Sequence, residues 1–533
     1  MGLFFVPVLL LLAGFAAGLT AAVSLWWLFA AVPLTLLFLV GLWDVLQRRH
    51  TILRSFPVLG HMRFLMEYIR PELQQYFIER NYDGRPYDRD TRTVIYQRAK
   101  GTHGEQAFGT ERDVEQSGHE FVVHSAAPRQ PEEEQPRVRI GGPDCTQPYE
   151  MALLNVSAMS FGALSANAIR ALNKGAAKGG FAHDTGEGGI SAYHREGGGD
   201  LIWELGSGYF GARTPDGGFD PDKFRDKAAD AQVKCVSLKL SQGAKPGIGG
   251  VLPGAKVTPE IADIRGVPVG VKCVSPPAHR VFHTPRELVL FIARMRELAG
   301  GKPTGFKLCV GSRLELLAIC KAMAAEQVTP DFIIVDGAEG GTGAAPLEFE
   351  DYVGMPLTDG LITLHNALVG TGLRDRIRIG ASGKIATGMD LVKRIAQGAD
   401  YTNAARAMMM AVGCIQAQKC QTNHCPTGVA TQDPRRYRAL DVTDKSERVR
   451  RYQQATVAEA QQIIASMGLA GPQELGPGML YRRVDHHAVR TFTDLYHWLE
   501  PGELLAEAPQ DWAADWAAAD PDRFGLAAPA RHC

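Results

Sequence analysis

Arg376-Ile377-Arg378-Ile379-Gly380-Ala381-Ser382-Gly383-Lys384-Ile385-Ala386-Thr387-Gly388 is the stretch on which the reading of the fold turns. A short run with isoleucine at alternate positions ends in glycine, a glycine-rich loop follows, and a helical pattern occupies 389–397. A second short run follows at 400–404. Strand, loop, helix and strand in that order make one unit of a parallel sheet covered by helices. The loop could cradle a phosphate with backbone N–H groups and a helix N-terminus. A plain strand-to-helix turn, with glycine serving only the backbone, is the other reading of the same residues.

Six further runs of this kind lie upstream, at 151–158, 181–184, 233–240, 267–274, 305–310 and 331–335. Eight strands separated by about 25 to 50 residues fit a closed parallel (β/α)8 TIM barrel. A doubly wound open sheet is the competitor. Residues suited to chemistry recur directly after most of these strands, and in a barrel all such loops open onto one face. The sixth loop, Asp336-Gly337-Ala338-Glu339-Gly340-Gly341-Thr342-Gly343-Ala344, is open enough for a flat ligand to approach the main chain.

The whole chain of 533 residues has 45% hydrophobic and 22% charged residues, which excludes disorder and collagen-like composition. A formal net charge of -1 gives no global attraction to nucleic acid, so no nucleic-acid partner is expected. From Leu3 to Trp43 no charged residue occurs, about twice the roughly 20 residues that one membrane helix needs. A hairpin of two transmembrane helices is expected, with a turn near Gly18-Leu19-Thr20 and Trp26-Trp27 at the interface. Arg48, Arg49, His50 and Arg54 follow, so the positive-inside rule puts the anchor in the cell membrane with the barrel on the cytoplasmic side. A cleaved signal peptide is the alternative, but the positive n-region is missing. The stretch from His61 to Ile69 reads as an amphipathic helix that lies on the membrane or packs on the main domain. The expected domains are a transmembrane anchor at 1–47, a connecting region at 48–147, the barrel at 148–434 and a short helical C-terminal extension at 435–533. Tyr481-Arg482-Arg483, Trp512 and Trp516 are read as part of that helical tail.

Nine cysteines are too few for a disulfide scaffold. Three of them, Cys414, Cys420 and Cys425, fall in one loop after the eighth strand with C-x5-C-x4-C spacing. Iron–sulfur ligation, a zinc ion with His424, or free thiols are the three readings. Adjacent His424 and Cys425 would have difficulty reaching one ion together, which weighs against zinc. Cys145, Cys235, Cys273, Cys309, Cys320 and Cys533 are scattered, and most read as small buried hydrophobes.

The segments Ser157-Ala158-Met159-Ser160-Phe161-Gly162, Thr185-Gly186-Glu187-Gly188-Gly189, Gln242-Gly243-Ala244-Lys245-Pro246-Gly247 and Gly340-Gly341-Thr342-Gly343-Ala344 stand in one order. They are followed by the run from Cys414 through Cys425-Pro426-Thr427-Gly428 to Pro434. In this the chain resembles the FMN-binding synthase domain of glutamate synthases, over about 148–434. The resemblance implies a β/α barrel with FMN and a 3Fe-4S cluster that reduces 2-iminoglutarate formed from 2-oxoglutarate and ammonia. It implies cluster ligands at Cys414, Cys420 and Cys425. The flavin would lie over Ala158, Met159 and Ser160 beside Gly340 and Gly341, with Lys307 near its pyrimidine end and its phosphate held around Gly383, Ala404 and Ala405. A cation at Lys307 would stabilise anionic reduced flavin. For the substrate it implies Glu187, Lys239, Gln242, Lys245 and Arg265. Two positive anchors suit a dicarboxylate, and Glu187 would donate a proton or guide ammonia. His183, His194 and His279 are read as structural hydrogen-bonders.

The chain also departs from that pattern. Ser382 and Lys384 stand where the family tends to have acidic and glycine residues, Ala338-Glu339 replaces a His-Asp pair, and Asn403 replaces a glycine. No glutaminase domain is expected before the barrel and no large β-helix after it. Ammonia would come from solution or a separate glutaminase subunit, and electrons from a separate donor, a ferredoxin or reductase subunit. Another amino or keto acid as substrate is the first alternative. A non-catalytic membrane scaffold is the second, and the kept cysteines argue against it.

Overall fold

The computed structural model describes residues 2–102 and 104–525, so Cys533 lies outside the described residues. The chain forms two compact units, Met1–Arg89 and Asp90–Cys533. In the first, the apolar helices Gly2–Ala22 and Leu28–Leu46 pack on each other around the short turn Leu25–Trp27, whose N-cap Ser24 accepts from the Trp26 N–H. Gly18 to Thr20 continue the first helix, with Thr20 Oγ1 donating to Ala16 O at 2.9 Å, so the turn falls later than the glycine suggests. Both helices are long and apolar enough to cross a membrane by length and composition. The helix His61–Leu73 follows, and Gln74–Ile78 extends it.

The second unit holds a closed barrel of eight parallel strands: β1 (Leu154–Val156), β2 (His183–Asp184), β3 (Leu201–Leu205), β4 (Val233–Lys239), β5 (Thr304–Leu308), β6 (Phe332–Asp336), β7 (Arg378–Ser382) and β8 (Tyr401–Ala404). Seven of the eight expected runs are barrel strands. The run at 267–274 is not: only Cys273–Val274 is extended, antiparallel to Val251–Leu252 outside the barrel, and Val269, Val271 and Val274 are exposed. Its place is taken by β3, which is fully buried. Sequence spacing hid β3 because it follows β2 across only the short helix Ala192–Arg195 and carries a charge, Glu204, in its interior.

An antiparallel hairpin, Arg137–Ile140 with Tyr149–Ala152, brings Ile140 and Met151 against Ala182, Ile202, Cys235, Phe332, Ile334 and Tyr401. All eight are essentially inaccessible, and burying each large apolar member contributes about 1.5–3 kcal/mol. This apolar layer fills one end of the barrel. Polar side chains therefore concentrate toward the C-terminal ends of the strands.

The C-terminal part is less helical than expected. Leu480–Arg483, which contains Tyr481-Arg482-Arg483, is a strand between Glu120–Val122 and Val489–Thr491. Trp512 does belong to a helix, Gln510–Ala518, and is buried under the Arg313 guanidinium, 4.6 Å from its ring centre.

Candidate active site at the barrel mouth

Above the apolar layer the strand ends contribute Asp184, Glu204, Ser237, Lys307, Asp336, Ser382 and Asn403, all buried. Lys307 on β5 forms an ion pair with Glu204 on β3. Burial alone would strip the Lys307 proton, but Glu204, Asp184 and Asp336 more than offset it and hold the ammonium charged. The Asp184 carboxyl is pushed up by burial and by Glu204, with only partial relief from Lys307. Sequence reasoning placed Lys307 here but gave no role to its three acidic neighbours. The available signal was an acidic residue inside an otherwise apolar run, as in Trp203-Glu204-Leu205.

The expected substrate residues gather around Glu187, in the loop after β2. Lys239, the last residue of β4, donates to Glu187 Oε1 at 2.8 Å and is also hydrogen-bonded to Gln242 Oε1. Burial would raise the Glu187 carboxyl, yet Lys239, Arg265 and Lys307 hold it below the usual carboxylate range. The carboxylate sits between two glycines. A Cβ on Gly206 would stand 2.2 Å from Oε2 and one on Gly250 would stand 1.9 Å from Oε1. His279 supports the same strand end, its Nε2 lying 2.8 Å from Lys239 O and its Nδ1 3.2 Å from Tyr209 OH. Burial brings His279 down to about 4, so it is neutral there.

Arg265 and Lys245 join this group by charge rather than by direct bonds. Arg265 ends the short helix Pro259–Arg265, not a strand, and donates to Ser160 Oγ at 3.3 Å and Phe161 O at 3.1 Å. Lys245 donates to Ala344 O in the loop after β6, and burial with the nearby Lys239 brings it down to about 8. His194 bonds Ser191 as a structural histidine would, through Nδ1 at 2.9 Å from Oγ. His183 differs: neither ring nitrogen has a partner, and burial lowers it to about 3.

The residues expected to hold a flavin border the same mouth. Ala158, Met159 and Ser160 form the loop after β1, and Ser157 Oγ lies 3.2 Å from Ser382 Oγ at the end of β7. Gly340 and Gly341 lie after β6, the Gly340 N–H donating to Gly337 O at 2.7 Å, while Ala404 closes β8 ahead of Ala405. Gly383 turns at φ 142°. The following helix start is already capped, because Asp390 Oδ2 accepts from the Ala386 and Thr387 N–H groups at 3.1 and 2.9 Å. An anion at this loop would therefore be held around Gly383 rather than by the helix N-terminus. Asn403 Oδ1 and Ser237 Oγ are buried with no hydrogen-bond partner among the described residues, and such orphaned atoms fit a polar-edged ring seated at the mouth.

The three loop cysteines act on one another electrostatically. Burial, reinforced by Cys420 and Cys425, pushes the Cys414 thiol up to about 12. At Cys425 burial is outweighed by N–H donors from Ala430, Thr427 and Val429 and by the Thr427 hydroxyl, so the thiol is lowered. Gln416 N–H donates to Cys414 Sγ at 3.4 Å. Among the described residues no three His, Cys, Asp or Glu side chains converge closely enough to hold one metal ion. N–H groups are directed at two of the three sulfurs, from Gln416 at Cys414 and from Ala430, Thr427 and Val429 at Cys425. The cysteine loop is tied to the loop after β1 through successive carbonyls. Gln432 donates to Gly162 O and Leu164 O at 3.0 and 2.7 Å, and Lys256 donates to Ala163 O at 2.9 Å.

Residues 126–470 match the family model described as the conserved region in glutamate synthase. The chain belongs to this family. It is 36% identical over 88% of its length to the glutamate synthase large subunit-like protein YerD of Bacillus subtilis, of which it covers 96%. It is 33% identical to an archaeal-type glutamate synthase [NADPH] of Thermotoga, over 60% of each chain. Against the glutamate synthase [NADPH] large chain of Bacillus subtilis it is 35% identical over 52% of its own length and 18% of that protein. Among solved structures, a mandelate oxidase carrying an FMN adduct aligns with TM-score 0.40 and 14% identity, over 75% of this chain and 91% of that one.

Proposed function

We propose that this family member is a membrane-anchored FMN and iron–sulfur oxidoreductase that reduces 2-iminoglutarate, formed from 2-oxoglutarate and ammonia, to glutamate. The observation that carries the reading is the group of buried cations Lys239, Lys245 and Arg265 around Glu187, next to the Lys307 cluster with Asp184, Glu204 and Asp336. Lys239 is taken up by Glu187, which leaves Lys245 and Arg265 as two positive anchors for a dicarboxylate, and an arginine can grip a carboxylate through two parallel bonds.

FMN bound over Ala158, Met159 and Ser160 would supply hydride chemistry, and a 3Fe-4S cluster on Cys414, Cys420 and Cys425 would supply single electrons. The chain's own residues do the rest. Arg265 and Lys245 bind the acid, and Lys239 keeps Glu187 ionised. A Glu187 carboxylate held below the usual range is a poor proton donor and a weak base, so its role is to draw in ammonium by charge rather than to donate a proton. Electrons come from a separate ferredoxin or reductase subunit, and ammonia from solution or a separate glutaminase subunit. The two apolar helices anchor the chain in the cell membrane, and Arg48, Arg49 and Arg54 put the barrel on the cytoplasmic side.

A second reading changes only the substrate. Lys245, one of the two expected carboxylate anchors, is already bonded to Ala344 O, which favours an acid with a single carboxylate. Both readings are tested on the full chain in detergent, purified anaerobically and examined by absorption and EPR, then reduced and mixed with ammonium and a keto acid. Flavin reoxidation with glutamate formed from 2-oxoglutarate supports the first. Reoxidation by a monocarboxylic keto acid alone supports the second, and absence of bound flavin refutes both.

A further inference from the structure

We propose that the helix His61–Leu73 and its extension Gln74–Ile78 lie in the membrane interface, with one apolar stripe in the acyl boundary and an arginine flank among anionic headgroups. The inference rests on the reading of the two apolar helices as membrane spans and adds a second, lateral contact with the same bilayer. The helix His61–Leu73 has no buried residue. Met62, Leu65, Met66, Leu73 and Tyr76 are 39–55% exposed, and with Ile69 they recur at intervals of three and four residues, on one face. So long an unpartnered stripe is what an interfacial helix presents.

Tertiary contacts within this unit set the depth of the helix. Asp44, fully buried and near the end of the helix Leu28–Leu46, is 3.0 Å from His61 Nε2 through both carboxylate oxygens and accepts the Val58 N–H at 2.9 Å. Gly41 lies against Val6 and Val58, where a Cβ would stand 3.1 and 3.3 Å from their methyl groups. The first residue of the amphipathic helix is thus bonded to the second apolar helix close to its end, the level at which a bilayer gives way to water. Beside the stripe runs a groove whose lining includes Arg63, Glu67, Arg70 and Gln74. Arg63 at this groove is paired with Glu67 at 2.9 Å, so Arg70, with Arg48, Arg49 and Arg54 upstream, supplies the positive charge that attracts an anionic leaflet. A second copy of the chain would cover the apolar stripe equally well but would gain nothing from this arginine flank.

The test is photolabelling of the full chain in vesicles of equal parts phosphatidylcholine and phosphatidylglycerol, with a diazirine placed in the acyl chain, followed by peptide mass mapping. Adducts are expected on both apolar helices and on the stripe residues from Met62 to Tyr76. Leu65→Glu combined with Met66→Glu should lose the stripe adducts and keep those on the apolar helices. Adducts on the apolar helices alone overturn the inference, as does a stripe peptide cross-linked to a second copy in place of lipid. Absence of adducts on the apolar helices themselves refutes the membrane reading, a separately scored result that removes this inference with it.

Discussion

Lys239→Met is the most informative single change, because it removes one partner of a buried pair while leaving the other in place. Lys239 and Glu187 have side chains only 8% and 14% exposed and meet at 2.8 Å. Leaving one member of such a pair unpartnered costs about 3–5 kcal/mol. Arg265 and Lys307 still act on Glu187, which points to the lower end, about 3 kcal/mol. For a unit of about 440 residues, unfolding entropy of about 2.1 cal/mol/K per residue turns that into a fall of about 3 °C in Tm. The sign with pH also follows. A carboxylate held below its unfolded value contributes stability that is complete above about pH 4.3 and lost as pH falls through the folded value. Without Lys239 the folded value rises, so acid destabilisation of the variant should begin at higher pH. Differential scanning fluorimetry of the full chain in detergent between pH 4 and 8 is the assay. Glu187→Gln added to Lys239→Met removes the stranded charge and should recover most of the loss. An unchanged Tm in the single variant, or no recovery in the double, would refute the claim that this pair is buried and coupled.

Four further outcomes are expected. Gly250→Ala places a methyl 1.9 Å from Glu187 Oε1 and should abolish turnover while FMN stays bound, read as activity per flavin. Glu204→Gln removes the bonded partner of Lys307 while Asp184 and Asp336 still act on it, and should destabilise the barrel by about 3 kcal/mol, whereas Glu204→Leu with Lys307→Met should recover much of it in chemical denaturation. Lys245, lowered to about 8, carries its charge below that pH, so the KM for an anionic keto acid should rise as pH passes 8. Lys245→Met should flatten that profile. Cys425→Ser should lose bound iron and the EPR signal of the oxidised cluster while the flavin absorption survives, checked by iron assay on anaerobic protein.

Much of the fold was written in local patterns. Alternating isoleucines before Gly380, the glycine-rich turn after it and the capped helix beyond are determined within a dozen residues, and seven barrel strands could be read that way. The charge-free N-terminus likewise declares two apolar helices, because hydropathy summed over a span needs no partner. The exception is β3. Glu204 belongs in a buried strand only because Lys307 reaches it from β5, a hundred residues away in sequence, and no local rule admits a charge there without its partner. Arg265 is a similar case. Its motif marked it as a substrate residue, but only the packing of a short helix against the loop after β1 turns its guanidinium onto Ser160 and Phe161. Residue types and spacings were thus sufficient for seven of the eight barrel strands, the cysteine loop and the set of candidate cations. Which charges neutralise one another, and which remain for a ligand, was decided by barrel closure, since Coulomb energies at 3 Å in a dry interior depend on contacts between residues far apart in the chain.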